Sequence, residues 1–137
     1  PKGLSRVKFK VAKKNAVGFF PGVWDFLHAG HVMALEEAKQ YCDYLIVGLR
    51  TDPSIDLPHK NKPILSMEER YRMLRANRWV DAVIIYDREK ELHAWFPVDV
   101  RFMGEDHKGK HHPIKAEIVY ITRNHQYSSN DIRKRMH

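Results

Sequence analysis

The feature that most constrains how this chain can fold is a hydrophobic period that switches back and forth along it. Residues 17–20 (VGFF) form a short apolar run, suited to a buried strand. Between residues 30 and 41 the period changes: Val32, Leu35, Ala38 and Cys42 recur at the spacing of one helix face. Residues 44–49 (YLIVGL) are a second apolar run, 80–86 a third, 100–103 a fourth and 117–121 a fifth. Strands that alternate with helices at these lengths predict an α/β fold in one domain, a parallel sheet of about five strands with helices on both faces. Such sheets bind ligands beyond the carboxyl ends of their strands.

Local punctuation supports the same division. Pro21-Gly22 is expected to end the first strand. Residues 53–65 carry Pro53, Pro58 and Pro63 and read as a loop, basic in the middle at His59, Lys60 and Lys62. Ser66 and Glu69 have the spacing of a capping box, opening a helix that runs to about Asn77. A short helix is expected over 88–95, stopped by Pro97. Residues 104–115 (GEDHKGKHHPIK) form a polar loop, and Ser128 opens a last short helix.

Composition narrows the setting. A chain of 137 residues with 43% hydrophobic and 30% charged residues suits one soluble globular domain. It has no apolar run near the ~20 residues a membrane span needs, and no signal-peptide layout. The single cysteine, Cys42, forms no internal disulfide, which points to a cytoplasmic protein. The formal charge of +7 suggests nucleic acid at first sight. Its distribution argues otherwise. Lys2, Arg6, Lys8, Lys10, Lys13 and Lys14 hold six of the 24 basic residues, leaving 18 against 17 acidic ones. Residues 1–15 therefore read as a solvated basic arm and 16–137 as the domain.

The chemistry is concentrated in residues 26–31, FLHAGH, where two histidines lie three apart at the junction of a strand and a helix. A zinc site would need a third protein ligand, for which Asp25, His107, His111 and His112 are candidates, and no H-E-x-x-H pattern is present. Plain packing is the second reading. Phosphate binding is the third: a helix N-terminus offers free N–H groups and the positive end of a dipole. Gly30 lets an anion approach the backbone, and two imidazoles can donate to phosphate oxygens and offset charge that develops at phosphorus. The glycine-rich nucleotide loops are missing, and a histidine-based site would take their place.

GVWDFLHAGH resembles the H-x-G-H signature of the nucleotidylyltransferase superfamily. Residues 69–84 (ERYRMLRANRWVDAVI) resemble the segment after the basic loop of cytidylyltransferases. Residues 102–110 (FMGEDHKGK) are similar to the fourth-strand exit of glycerol-3-phosphate cytidylyltransferases, and 123–132 (RNHQYSSNDI) to the family's R-T-x-G-I-S-T-T. The resemblance implies a Rossmann-like homodimer that makes a CDP-alcohol and pyrophosphate from CTP and a phosphorylated alcohol, with Mg²⁺ as cofactor. A substrate phosphate oxygen attacks the α-phosphorus directly, without a covalent enzyme intermediate. It implies catalytic roles for His28, His31, Lys60 or Lys62, and Arg123. It implies nucleotide contacts from Gly22, Val23, Trp24, Asp25, Gly30, Gly104, Glu105, Asp106, Ser128 and Ser129. Arg78, Trp79 and Lys110 are implied at the acceptor or a subunit contact.

The sequence departs from the family at three points. Tyr127 and Gln126 stand where it has isoleucine and glycine, Val23 where the glycerol-3-phosphate branch has threonine, and His107-Lys108 where it has an aromatic and an acid. Glycerol 3-phosphate is the favoured acceptor, followed by phosphoethanolamine or phosphocholine. An ATP-using adenylyltransferase, an inert nucleotide sensor and a basic nucleic-acid-binding module are the competing functions.

Overall fold

The computed structural model describes residues 15–55, 57–88, 90–91, 97–104, 116–122 and 127–136. Five parallel strands make one sheet in the order β3-β2-β1-β4-β5. They are β1 (Val17–Gly22), β2 (Tyr44–Arg50), β3 (Ala82–Tyr86), β4 (Val100–Gly104) and β5 (Glu117–Ile121). Helix α1 (Ala29–Lys39) joins β1 to β2, α2 (Met67–Arg75) precedes β3, and α3 (Ser129–Arg135) closes the chain. The order is that of a Rossmann-like α/β domain, and it reverses direction between β1 and β4.

Alternation along the strands divides the core in two. Phe20, Leu45, Val47, Leu49 and Phe102 pack with Leu35 and Ala38 of α1 and Leu74 of α2 on one face. Phe19, Ile46, Tyr86 and Val98, the last from the β3–β4 connection, pack on the other. Gly18 sits where α1 ends against the sheet. A Cβ there would fall 2.5 Å from the Phe102 ring and 2.8 Å from Cys42 Sγ. Cys42 is buried, and burial pushes its thiol up to about 11, so it behaves as a small apolar side chain.

Three aspartates fix the amino edge. Asp43, Asp81 and Asp99 each stand one residue before a strand. Asp81 donates its N–H to Leu45 O (2.9 Å) and accepts Leu45 N–H on its carboxylate (2.8 Å). Asp99 makes the same reciprocal pair with Val17, at 2.8 Å in both directions. Asp43 accepts the N–H of Asn15 (2.6 Å), so Asn15 already belongs to the domain. Residues 1–14 of the expected arm lie outside the described residues.

Element by element, the structure departs from the sequence pattern in small ways. Pro21-Gly22 does not break β1, which pairs with β2 through Gly22. The pairing of β1 with β4 is at Gly18 and Phe19, so Pro21 lies past the point where a donor is needed on that side. The third strand begins at Ala82 rather than Val80, because Asp81 is occupied in bridging to Leu45. Helix α2 opens on the expected capping box, with Glu69 N–H on Ser66 Oγ (3.1 Å) and Ser66 N–H on Glu69 Oε1 (2.8 Å). It ends at Arg75, with Ala76 as C-cap. Of the helix expected over 88–95, residues 90–91 form a tight helical turn, and 89 and 92–95 lie outside the described residues. Among the described residues no helix is long and apolar enough to cross a membrane.

Candidate active site

Beyond Gly22 the chain turns sharply before α1. Trp24 and Phe26 both adopt left-handed backbone angles, φ 57° and 51°, which cost roughly 1–3 kcal/mol each for residues with a Cβ. The turn is held by burial of Trp24. Its indole N–H donates to Gly48 O (3.1 Å), and its ring meets Phe20 edge-on at 4.9 Å. A Cβ on Gly22 would lie 3.0 Å from that indole, so glycine is needed for the close approach.

The two histidines form a reciprocal cap on α1. His28 is the N-cap, and its Nδ1 accepts the N–H of Gly30 (3.1 Å) and of His31 (3.4 Å). His31 Nδ1 accepts the N–H of His28 (3.3 Å). This is a capping box built from imidazoles instead of hydroxyl and carboxylate. The rings stack at 3.8 Å, 21° from parallel, and His31 also meets the Trp24 ring at 5.1 Å. An Nδ1 that accepts main-chain N–H groups carries no proton, so the hydrogen-bond network assigns each proton to Nε2. Each ring therefore turns its inner nitrogen to the helix and keeps an Nε2–H donor on its far side.

Asp25, between the two strained residues, is buried. Its Oδ1 accepts Leu65 N–H (3.0 Å), and its Oδ2 accepts Ile64 N–H (2.9 Å) and an Arg133 N–H (2.6 Å). Its carbonyl accepts the Ser129 hydroxyl (2.7 Å). Arg70 clamps the same loop from the other side. It is buried at 2% exposure and donates to Val23 O (3.1 Å), Arg50 O (2.6 Å), Thr51 O (2.7 Å) and Leu65 O (3.2 Å). Burial lowers its pKa from the ordinary arginine value, while Asp25 and Asp52 act in the opposite direction.

These elements enclose a cleft of about 420 Å³ at the carboxyl edge, where the strand order reverses. That is the volume and the position of a small-molecule site in such sheets. Of the residues expected from sequence, Gly22, Val23, Trp24, Asp25, His28, Gly30, His31, Lys60, Gly104, Ser128 and Ser129 line it. Trp24 does so as a buried core residue. Ser128 is the N-cap of α3, accepting Asp131 N–H (3.0 Å).

Lys62 is not in the cleft. It lines a separate hollow with Thr51, Asp52 and Arg70. There the carboxyl of Asp52 is held below its usual range, chiefly by the Ser54 hydroxyl, with Lys62 adding to the effect. Arg78 is exposed, its guanidinium 4.7 Å from the centroid of the Trp79 ring; neither residue lines the cleft. Glu105, Asp106, Lys110 and Arg123 lie outside the described residues, as do His107, His111 and His112.

Sequence reasoning missed Asn61, Thr122, Tyr127, Asn130 and Arg133 in the cleft wall, and Arg70 behind it. A signal existed for two of them. Arg70 lies four residues before the core residue Leu74, and Arg133 four after Ser129, each on one helix face. Among the described residues no group of three or more His, Cys, Asp and Glu could hold a metal ion.

A lysine and two imidazoles at a helix N-terminus, set around one cleft at the carboxyl edge of a parallel sheet, mark a small-molecule site of an α/β domain. Comparison with known proteins makes the class specific. Residues 19–135 match the family described as cytidylyltransferase-like, and the chain belongs to that family and is an enzyme of the cytidylyltransferase type. It is 35% identical over 121 residues to the glycerol-3-phosphate cytidylyltransferase of Staphylococcus aureus, covering 85% of this chain and 91% of that one. To the glycerol-3-phosphate cytidylyltransferase of Bacillus subtilis it is 36% identical over 118 residues, covering 82% and 91%. Among solved structures, the lipopolysaccharide core biosynthesis protein of Thermoplasma volcanium shares the fold, with a TM-score of 0.66 at 23% identity over 82% of this chain and 98% of that one.

Proposed function

We propose that this enzyme transfers the cytidylyl group of CTP to the phosphate of a small phosphorylated alcohol, glycerol 3-phosphate in the first instance, and releases pyrophosphate. A phosphate oxygen of the acceptor forms a bond to the α-phosphorus as the bond to the β-phosphate oxygen breaks in line with it. The observation that carries the reading is the imidazole capping box. It supplies two fixed Nε2–H donors beside the N-terminus of α1, where the transferring phosphorus and the departing pyrophosphate gain negative charge. Lys60 adds a full positive charge from the cleft wall, and the positive end of the α1 dipole lies beside it. The choice of glycerol 3-phosphate is supported by the two bacterial relatives, which match nearly their whole length.

Magnesium is part of the proposal as the counter-ion of the triphosphate. Asp25, the carboxylate described in the cleft, has both oxygens engaged by Ile64, Leu65 and Arg133. The ion would therefore be held by phosphate oxygens and water, as hard cations often are. The resemblance further implies a homodimer, which a solution mass at micromolar concentration tests, and a cytoplasmic site of action.

The deciding experiment measures pyrophosphate release from CTP or ATP with glycerol 3-phosphate, phosphoethanolamine and phosphocholine. Turnover with CTP and glycerol 3-phosphate is the expected result. Turnover with ATP alone rejects cytidine, and turnover with CTP and another acceptor reassigns the alcohol. Nucleotide binding without turnover with any acceptor marks a sensor. Removing residues 1–14 should leave turnover intact; a basic nucleic-acid module would instead lose salt-sensitive binding with that segment.

A further inference from the structure

Helix α3 supplies one wall of the cleft through Ser128, Ser129 and Asn130, yet it contributes no buried residue to the core. Seven residues whose one apolar side chain, Ile132, is only half-buried make a weak helix, and polar contacts to the β1–α1 turn help attach this one. Ser129 Oγ donates to the Asp25 carbonyl (2.7 Å), and Arg133 pairs with Asp25 Oδ2 (2.6 Å). The guanidinium also donates to Asn130 Oδ1 (3.1 Å) within α3 and lies 5.7 Å from the centroid of the Phe26 ring. Oδ2 of Asp25 also accepts the N–H of Ile64, at the end of the loop that carries Lys60. One buried carboxylate oxygen thus joins the wall made by α3 to the loop that brings the lysine.

We propose that Arg133 is a positioning residue: its ion pair with Asp25 latches α3 onto the β1–α1 turn and sets the α3 wall of the cleft before the nucleotide binds. The ligand named here rests on the proposed cytidylyl transfer, whereas the latch can be measured without it. Arg133 acts through Asp25, so its removal should loosen nucleotide binding more than it slows the chemical step. A half-buried ion pair in a cleft wall also differs from the exposed pairs of the same helix, such as Arg135 with Asp131, which hold nothing outside it.

Two readouts on Arg133→Met and Arg133→Lys test the latch. Without nucleotide, amide exchange over residues 129–135 should quicken by about 10-fold in Arg133→Met, while residues 29–39 keep their wild-type rates. With substrates, KM for CTP should rise about 10-fold with kcat within about 3-fold, and Arg133→Lys should recover most of the loss. A cycle with Asp25→Asn, which keeps an oxygen for the loop amides, identifies the route. If Arg133 works through Asp25, the double variant is no worse than the worse single one, within about 2-fold.

Unchanged exchange in α3 overturns the latch. Multiplying effects in the cycle also overturn it, because Arg133 would then touch the ligand on its own. If CTP is not the substrate, the kinetic readout is absent while the exchange readout still responds, so the two failures are separable.

Discussion

At the amino edge of the sheet, Asp81 and Asp99 each make a reciprocal pair with one residue of the neighbouring strand, Leu45 and Val17, and thereby fix strand register, while Asp81 also pairs with Lys39 at the end of α1. At the carboxyl edge, Asp25 gathers three groups from two distant segments, the loop at Ile64-Leu65 and helix α3, onto one side chain. Its two flanking residues, Trp24 and Phe26, carry left-handed backbone angles, whereas at the amino edge that conformation falls on Asn15, a residue type that adopts it readily. One edge ties neighbouring strands together and the other lines a cleft. The same residue type therefore serves stability at one end and site assembly at the other, which is the division expected when a rigid sheet carries a functional loop cluster.

Substitutions can break that contrast, and the largest effect belongs to the histidines. His28→Ala and His31→Ala should each lower kcat by about 10²-fold or more, through lost stabilisation of the transition state. His28→Asn sharpens the test. Asparagine is among the best N-caps, so this variant should keep the wild-type melting temperature and still turn over slowly. Recovery of kcat in His28→Asn would assign the role of His28 to helix capping alone. Next in size, Lys60→Ala should raise KM for CTP about 10-fold, and Lys62→Ala should leave it within about 2-fold; steady-state kinetics in which the two exchange places would move the phosphate contact to the second hollow. The smallest effects belong to the amino edge. Asp81→Ala and Asp99→Ala should each cost about 1 kcal/mol in denaturant unfolding, from lost hydrogen bonds to main-chain N–H groups. Their kcat should stay at the wild-type value, and a marked fall in either would erase the distinction between the edges.

Much of this architecture is legible in the sequence, for a physical reason. Strands and helices announce themselves through periodicity, and β2 (YLIVGLR) is apolar almost throughout because both its faces are covered. The capping box at Ser66 and Glu69 is local, so spacing alone finds it. The histidine pair is local too, and its place at the strand-to-helix junction follows from the pattern. Other features depend on tertiary geometry. The meeting of Asp25 with Ile64 spans 39 residues, Arg70 with Val23 spans 47, and Asp25 with Arg133 spans 108. No periodicity links such positions. Lys60 and Lys62 differ by two places in an irregular loop, where neither helix nor strand spacing says which way a side chain faces. Pro21 lies inside β1 because a proline ends a strand only where its missing N–H would have had a partner.

The inward lock on both imidazoles reaches into the economy of protons. With its inner nitrogen committed to the main chain and its outer one already protonated, neither ring has a lone pair left with which to act as a base toward a bound substrate. Such a site suits an attacking group that arrives as an anion, and a phosphate ester does so at neutral pH. An acceptor presenting only a neutral hydroxyl would find no base in this pair, so the geometry of two helix caps already limits what the enzyme can be asked to join.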